Sequence, residues 1–331
     1  MANKILGRSM AVAILAFFMQ AAVPALADPS ETGWQLVWSD EFDGDSLDTT
    51  KWNYEEDCWG GGNNERQCYT DKTENVSVKD GVLNITALKK TTRGYAWPKS
   101  WRASSEGIWQ EGLKLKGKKR FEKAKRPFSS GRITTRYKGD WQYGRFEARI
   151  KLPTGQGAWP AFWMLPSDWV YGGWPLSGEI DIMEAINLGM SCPECEDGRE
   201  DRVHGTLHFG KAPPKNSYKG KETHLAAPVT GFHTYAIEWE PTQMRWYVDG
   251  KHFSTLSQDD WFTDANNAET DHAPFDQRFH IILNLAIGGK WPEENNDVGF
   301  FSMDFPKSLV VDYVRVYQCP DGTGEACRSS N

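Results

Sequence analysis

The run GEIDIMEAIN, residues 178–187, sets three carboxylates among apolar residues. On a β-strand Glu179 and Asp181 share one face, while Ile180 and Ile182 turn the other way into a core. Regular alternation would then send Glu184 to the apolar side, where an unpaired charge is costly. One inserted residue resolves the conflict: a β-bulge at Met183 restores the phase and returns Glu184 to the face of the other two acids. Glu179 and Glu184 are then about four strand steps apart, ~13 Å along the backbone. Side chains that lean together bring the carboxyls toward ~5–5.5 Å, the separation at which one carboxylate attacks an anomeric carbon while the other protonates the leaving oxygen. Mutual repulsion would separate their proton affinities, and Asp181 stands between them to hydrogen-bond one. The competing chemistry is a calcium site, but a strand lacks the turning backbone that usually gathers such ligands.

Other residue types that suit sugars lie on neighbouring runs. In AWPAFWMLP, Trp159, Ala161, Trp163 and Leu165 share a strand face, with the two indoles ~13 Å apart; they form either a stacking platform or part of a core. In VHGTLHFG, His204, Thr206 and His208 share the face opposite Val203, Leu207 and Phe209. Asn63, Asn64 and Glu65 sit in a Gly-rich loop between Cys58 and Cys68, placed either to meet sugar hydroxyls or to form the turn itself.

The elements that must position these groups read as strands. RFEARIKL turns Phe146, Ala148, Ile150 and Leu152 one way and Arg145, Glu147, Arg149 and Lys151 the other. TYAIEWEP repeats the pattern, and MRWYVDGKHFSTL reads as a hairpin turning at Asp249 and Gly250. GVLNITAL, GRITTRY, FHIILNLAI and LVVDYVRVYQ add further strands, and no amphipathic helix of three turns is evident. Many short alternating strands imply an all-β antiparallel sandwich in one domain, with a core from about 33 to 319. From Lys89 to Arg126 the pattern lapses, and Lys and Arg outnumber Asp and Glu thirteen to three, with Trp97, Trp101 and Trp109 interleaved. This reads as a solvated insertion, the other reading being a basic surface for anionic glycans or cell walls.

Residues 1–27 have the pattern of an export signal: Lys4 and Arg8, an apolar run too short to span a bilayer, and Ala25-Leu26-Ala27 as a cleavage site. Its removal takes the net charge from −7 to −9 for residues 28–331. An acidic exported chain has little electrostatic reason to bind nucleic acid, and no later run is long and apolar enough to cross a membrane. The six cysteines fall in three near pairs, Cys58 with Cys68, Cys192 with Cys195 and Cys319 with Cys327, as disulfides of an oxidising compartment would. Sixteen Trp exceed the needs of a core, which leaves some for a ligand.

GEIDIMEAIN resembles the bulged E-x-D-x-x-E signature of glycoside hydrolase family 16, as found in its laminarinase-like endo-β-1,3-glucanases. The likeness extends through LVWSDEFDG, NNERQCYT, YGRFEARIKLPTGQGAWPAFWMLP, VHGTLHF, FHTYAIEWEP, WYVDG, FHIILNLAIGGKWP and DYVRVYQ. It implies a β-jelly-roll (concanavalin A-like) sandwich with a substrate cleft on a concave sheet. It further implies Glu179 as nucleophile, Glu184 as general acid/base and Asp181 as their assistant, with Trp159, Trp163 and His208 at the substrate. Asn64, Arg145, Asn284 and Trp291 complete the substrate candidates. By the same resemblance Glu41, Asp312 and a backbone oxygen of Gly81 would hold a structural calcium, and catalysis itself needs no cofactor. The expectation is a secreted, monomeric hydrolase of β-glucan polysaccharide. The competing readings are a non-catalytic β-glucan-binding protein and a relative acting on agar- or carrageenan-type galactans.

Overall fold

The computed structural model describes residues 32–103, 108–110, 113–115, 117–195, 197–295 and 304–327. The expected export signal and the side chain of Trp109 lie outside the described residues. Alternation becomes two antiparallel sheets of eight strands each. One runs, in spatial order, through Lys251–Ser257, Gln243–Val248, Phe232–Trp239, Gly144–Lys151, Lys307–Gln318, Val82–Ala87 and Val76–Lys79, with Gln35–Asp40 added on Lys307–Gln318. The other runs through Asn216–His224, Arg202–Gly210, Glu179–Glu184, Ala158–Pro166, Phe279–Ile287, Arg132–Thr134 and Asn53–Tyr54, with Asp140–Trp141 added on Phe279–Ile287. This second sheet carries the acids and is called the cleft sheet below; the first is the back sheet.

Their apolar faces close on a common core that includes Phe146, Ala148 and Ile150 from the back sheet and Phe162, Met164, Ile180 and Leu207 from the cleft sheet. The hairpin after Val248 turns at Asp249 (φ 48°) and Gly250 (φ 70°), the two left-handed positions that match the twist of the flanking strands. All three disulfides join the neighbouring cysteines expected from the sequence. Among the described residues the α-helices are two five-residue turns, Lys99–Ala103 and Lys290–Glu294, and no helix is long and apolar enough to cross a membrane.

The described residues of the 89–126 segment are fastened to the rest of the chain. Thr92–Tyr95 pairs with Lys123–Arg126, and this ribbon is fastened to the loop stapled by Cys58 and Cys68. The Cys58 N–H donates to the Tyr95 carbonyl at 2.7 Å, and Arg126 Nε donates to the Cys58 carbonyl at 3.0 Å. Gly94 is required here, since a Cβ would lie 2.9 Å from Cys58 Sγ.

Candidate active site

Pairing along the acid strand shows how three carboxylates share a face. Across Arg202–Gly210, Glu179 pairs with His208, Asp181 with Thr206 and Glu184 with His204. Those partners alternate along one strand and so share its face, which puts the three acids together. Three residue steps, Asp181 to Glu184, therefore span what two steps, Thr206 to His204, span opposite. Across Ala158–Pro166, Asp181 pairs with Trp163 and Met183 with Phe162, so Ile182 is the residue without a ladder partner. The extra position thus falls at Ile182–Met183 rather than on Met183 alone. Both side chains are buried, at 2% and 1% exposure, and their burial keeps the irregular step fixed.

The register continues across the sheet. Trp163 pairs with Ile282, Ala161 with Asn284 and Trp159 with Ala286, and Arg132 and Thr134 follow on the next strand. These residues and the acids line one cavity of 820 Å³. Trp159 Nε1 donates to Glu184 Oε1 at 2.9 Å, and Trp174 Nε1 donates to Glu179 Oε2 at 2.9 Å. Trp163 Nε1 donates to Asn284 Oδ1 at 2.7 Å. Trp291 packs edge-on against Trp159 at 5.4 Å and against His204 at 5.0 Å. From across the core, Trp246 Nε1 of the back sheet donates to the Asp181 carbonyl at 2.9 Å, beside the bulge.

Burial is the largest cause raising all three carboxyls. Glu179 is pushed up to about 8 by burial and then by the Asp181 charge, partly opposed by His208. Glu184 is pushed up to about 8 by burial and again by Asp181, and Asp181 to about 8 by burial. The first of the three to ionise makes the next harder to ionise, so the set keeps a proton to give at neutral pH. His208 Nε2 lies 3.3 Å from Asp181 Oδ2 and 3.8 Å from Glu179 Oε1, where a positive ring favours ionised carboxylates. These are the ingredients of paired acid and nucleophile chemistry at one centre.

Most of the expected residues converge here: Glu179, Asp181, Glu184, Trp159, Trp163, His208, Asn284 and Trp291 all line the cavity. Two do not. Arg145 belongs to the back sheet, buried in ion pairs with Glu147 at 2.7 Å and Glu238 at 3.1 Å; alternation assigned it a polar face, but that face is turned away from the cleft. Asn64 is exposed, with φ 62°, and serves the turn while its neighbours Asn63 and Glu65 line the cavity. Sequence reasoning missed Trp174, whose signal was a Gly-rich turn five residues before Glu179, and it set His204 on the face of His208 without naming it a substrate candidate.

The calcium set is brought toward one edge by strand pairing, since Asp40 pairs with Val314 and Leu83 with Val311. Its carboxylates are already matched by cations. Glu41 accepts two hydrogen bonds from Arg315, at 3.0 and 2.9 Å, and Asp312 accepts one from Arg149. With a guanidinium on each carboxylate, a calcium ion there would have to displace Arg315 and Arg149 from Glu41 and Asp312.

Comparison with known proteins agrees with the geometry. The family model of glycosyl hydrolases family 16 matches residues 63–302. Glucan endo-1,3-beta-glucosidase A1 of Niallia circulans is 40% identical over 88% of this chain, which spans only 39% of that protein. The beta-glucanase of Rhodothermus marinus is 40% identical over 86% of this chain and 85% of its own length. The solved laminarinase of Rhodothermus marinus superposes with a TM-score of 0.63 at 38% identity, covering 86% of this chain and 97% of that one. A match that takes in the acid strand, its bulge and most of the chain has one reading: the chain belongs to glycosyl hydrolases family 16.

Proposed function

We propose that this family member is a secreted retaining endo-β-1,3-glucanase acting on laminarin-type glucans. The observation that carries the reading is the bulged strand, which sets Glu179 and Glu184 on one face with an indole N–H on each. Glu179, as carboxylate, attacks the anomeric carbon while Glu184, as acid, protonates the departing oxygen, so one C–O bond forms as another breaks. Glu184 then takes a proton from water, the water oxygen attacks the anomeric carbon, and the bond to Glu179 breaks. Asp181 and His208 hold the charge pattern between these states.

The cleft favours a neutral glycan. Besides the three acids, Glu55, Asp57 and Glu65 line it, against the two guanidinium groups of Arg132 and Arg136. With only these two guanidinium groups and no lysine among the described residues of the lining, the cleft offers few cations to a sulfated galactan, and the relatives named for β-1,3-glucan hydrolysis support the same choice. A binding protein without chemistry would leave both glutamates without a task. Export is part of the reading, since three disulfides suit an oxidising compartment; a mature N-terminus near Asp28 is its check.

On a panel of laminarin, mixed-linkage β-glucan, agarose and carrageenan, reducing ends should accumulate fastest from laminarin. Glu179→Gln should abolish hydrolysis, and Glu184→Gln should lower it by ~10²–10⁴-fold on substrates with poor leaving groups. Activity of Glu179→Gln equal to that of the unaltered protein would sink the assignment.

A further inference from the structure

The acid chemistry makes no use of the far end of the cleft, which the 89–126 segment helps to build. Trp101 on the helix Lys99–Ala103 meets Trp59 of the stapled loop, ring centroids 4.7 Å apart. Trp97 stacks behind Trp101 at 6.1 Å, the planes 20° apart. Arg102 locks the helix in place: it donates to the Trp97 carbonyl at 3.0 Å and the Glu56 carbonyl at 3.1 Å, and its guanidinium lies 3.9 Å over the Tyr95 ring. Trp59 and Trp101 remain partly exposed, and both line the cavity that holds Glu179 and Glu184.

The sheet order gives their side of the cleft. Asp57 and Trp59 follow Asn53–Tyr54, the strand four places from the acid strand. At ~4.8 Å per strand, Asn53–Tyr54 itself lies roughly 19 Å from the acid strand, and the wall stands on the loops that follow it at that side of the cleft. Asp57, whose Oδ1 accepts the Trp59 backbone N–H at 2.9 Å, supplies a carboxylate beside the indoles. Flat apolar rings beside a buried carboxylate suit a sugar: C–H faces stack on the indoles and hydroxyls donate to the acid. Among the described residues no lysine lines the cavity, so the basic character of the segment is directed elsewhere than at the bound chain.

We propose that the 89–126 segment is a specificity element, in which Trp101, backed by Trp97 and facing Trp59, forms a distal subsite for a neutral β-glucosyl unit of the chain being cut. The proposal rests on the glucanase reading and adds to it a preference for long chains.

The test compares kcat/KM for laminarin with kcat/KM for a β-1,3-linked glucotriose, which fills fewer positions along the cleft. Trp101→Ala should lower the long-to-short ratio roughly 3- to 10-fold, the range of one aromatic stacking contact, and most of the change should lie in KM for laminarin. Trp101→Leu keeps apolar bulk against Trp97 but loses the flat face, and should lower the ratio too, so the test does not depend on the alanine variant folding. A ratio equal to wild type in both variants overturns the subsite. A wild-type protein inactive on every β-glucan would overturn the glucanase reading instead, so the two failures are distinguishable.

Discussion

Desolvation does at Glu179, Asp181 and Glu184 what a dedicated proton relay would otherwise have to do. Each carboxyl is raised to about 8 with burial as its largest cause, whereas an unfolded chain titrates these groups near ~4. A folded pKa above the unfolded one means that the stability contributed by the neutral group is fully present below pH ~4 and is lost as pH rises toward 8. Glu184→Gln, which removes one such charge, should therefore gain stability over wild type as pH increases. Its advantage in Tm should be larger at pH 8 than at pH 5, and a difference that shrinks with pH would contradict the burial account. Activity should also have an alkaline limb near 8, where the acid loses the proton it must donate.

At the scale of elements, parity in the sequence already assigned the faces of the acid, tryptophan and histidine strands, because alternation is a local property. The need for a bulge followed from the same rule applied to Glu184. Alternation does not say which sheet a strand joins, which is why Arg145 was misplaced. Its actual setting is a buried network on the outer face of the back sheet. Arg245 donates to Glu238 and Glu240, both at 2.7 Å, Tyr247 donates to Glu238 at 2.8 Å, and Arg145 pairs with Glu238 and Glu147. Glu238→Ala leaves two guanidinium groups buried without that partner and should cost about 3–5 kcal/mol of stability. Denaturant unfolding reads that loss, and kcat measured well below the melting temperature should stay near wild type because the network lies away from the cleft.

For the whole molecule, the three disulfides each close a short loop and were legible as near pairs in sequence. The position of the 89–126 segment was not. Its contacts with Cys58, Glu56 and Trp59 join residues more than thirty positions apart, and no periodicity records such a meeting. The calcium expectation had the same weakness in reverse, because motif matching named the carboxylates but not the arginines opposite them. Since Arg315 and Arg149 already neutralise Glu41 and Asp312, a chelator should leave the melting temperature unchanged. A fall in Tm on chelation that added calcium restores would show the arginines to be displaced by the ion.

The indole of Trp246 reaches from the back sheet to the Asp181 carbonyl, and a Cβ at Gly205 of the cleft sheet would lie 2.4 Å from that same ring. Donor and clearance form a matched pair split between the two layers. The cleft sheet is therefore not a module an engineer can move alone: grafted onto a foreign back sheet, it would lose the brace beneath its acid strand unless Trp246 and Gly205 travelled together.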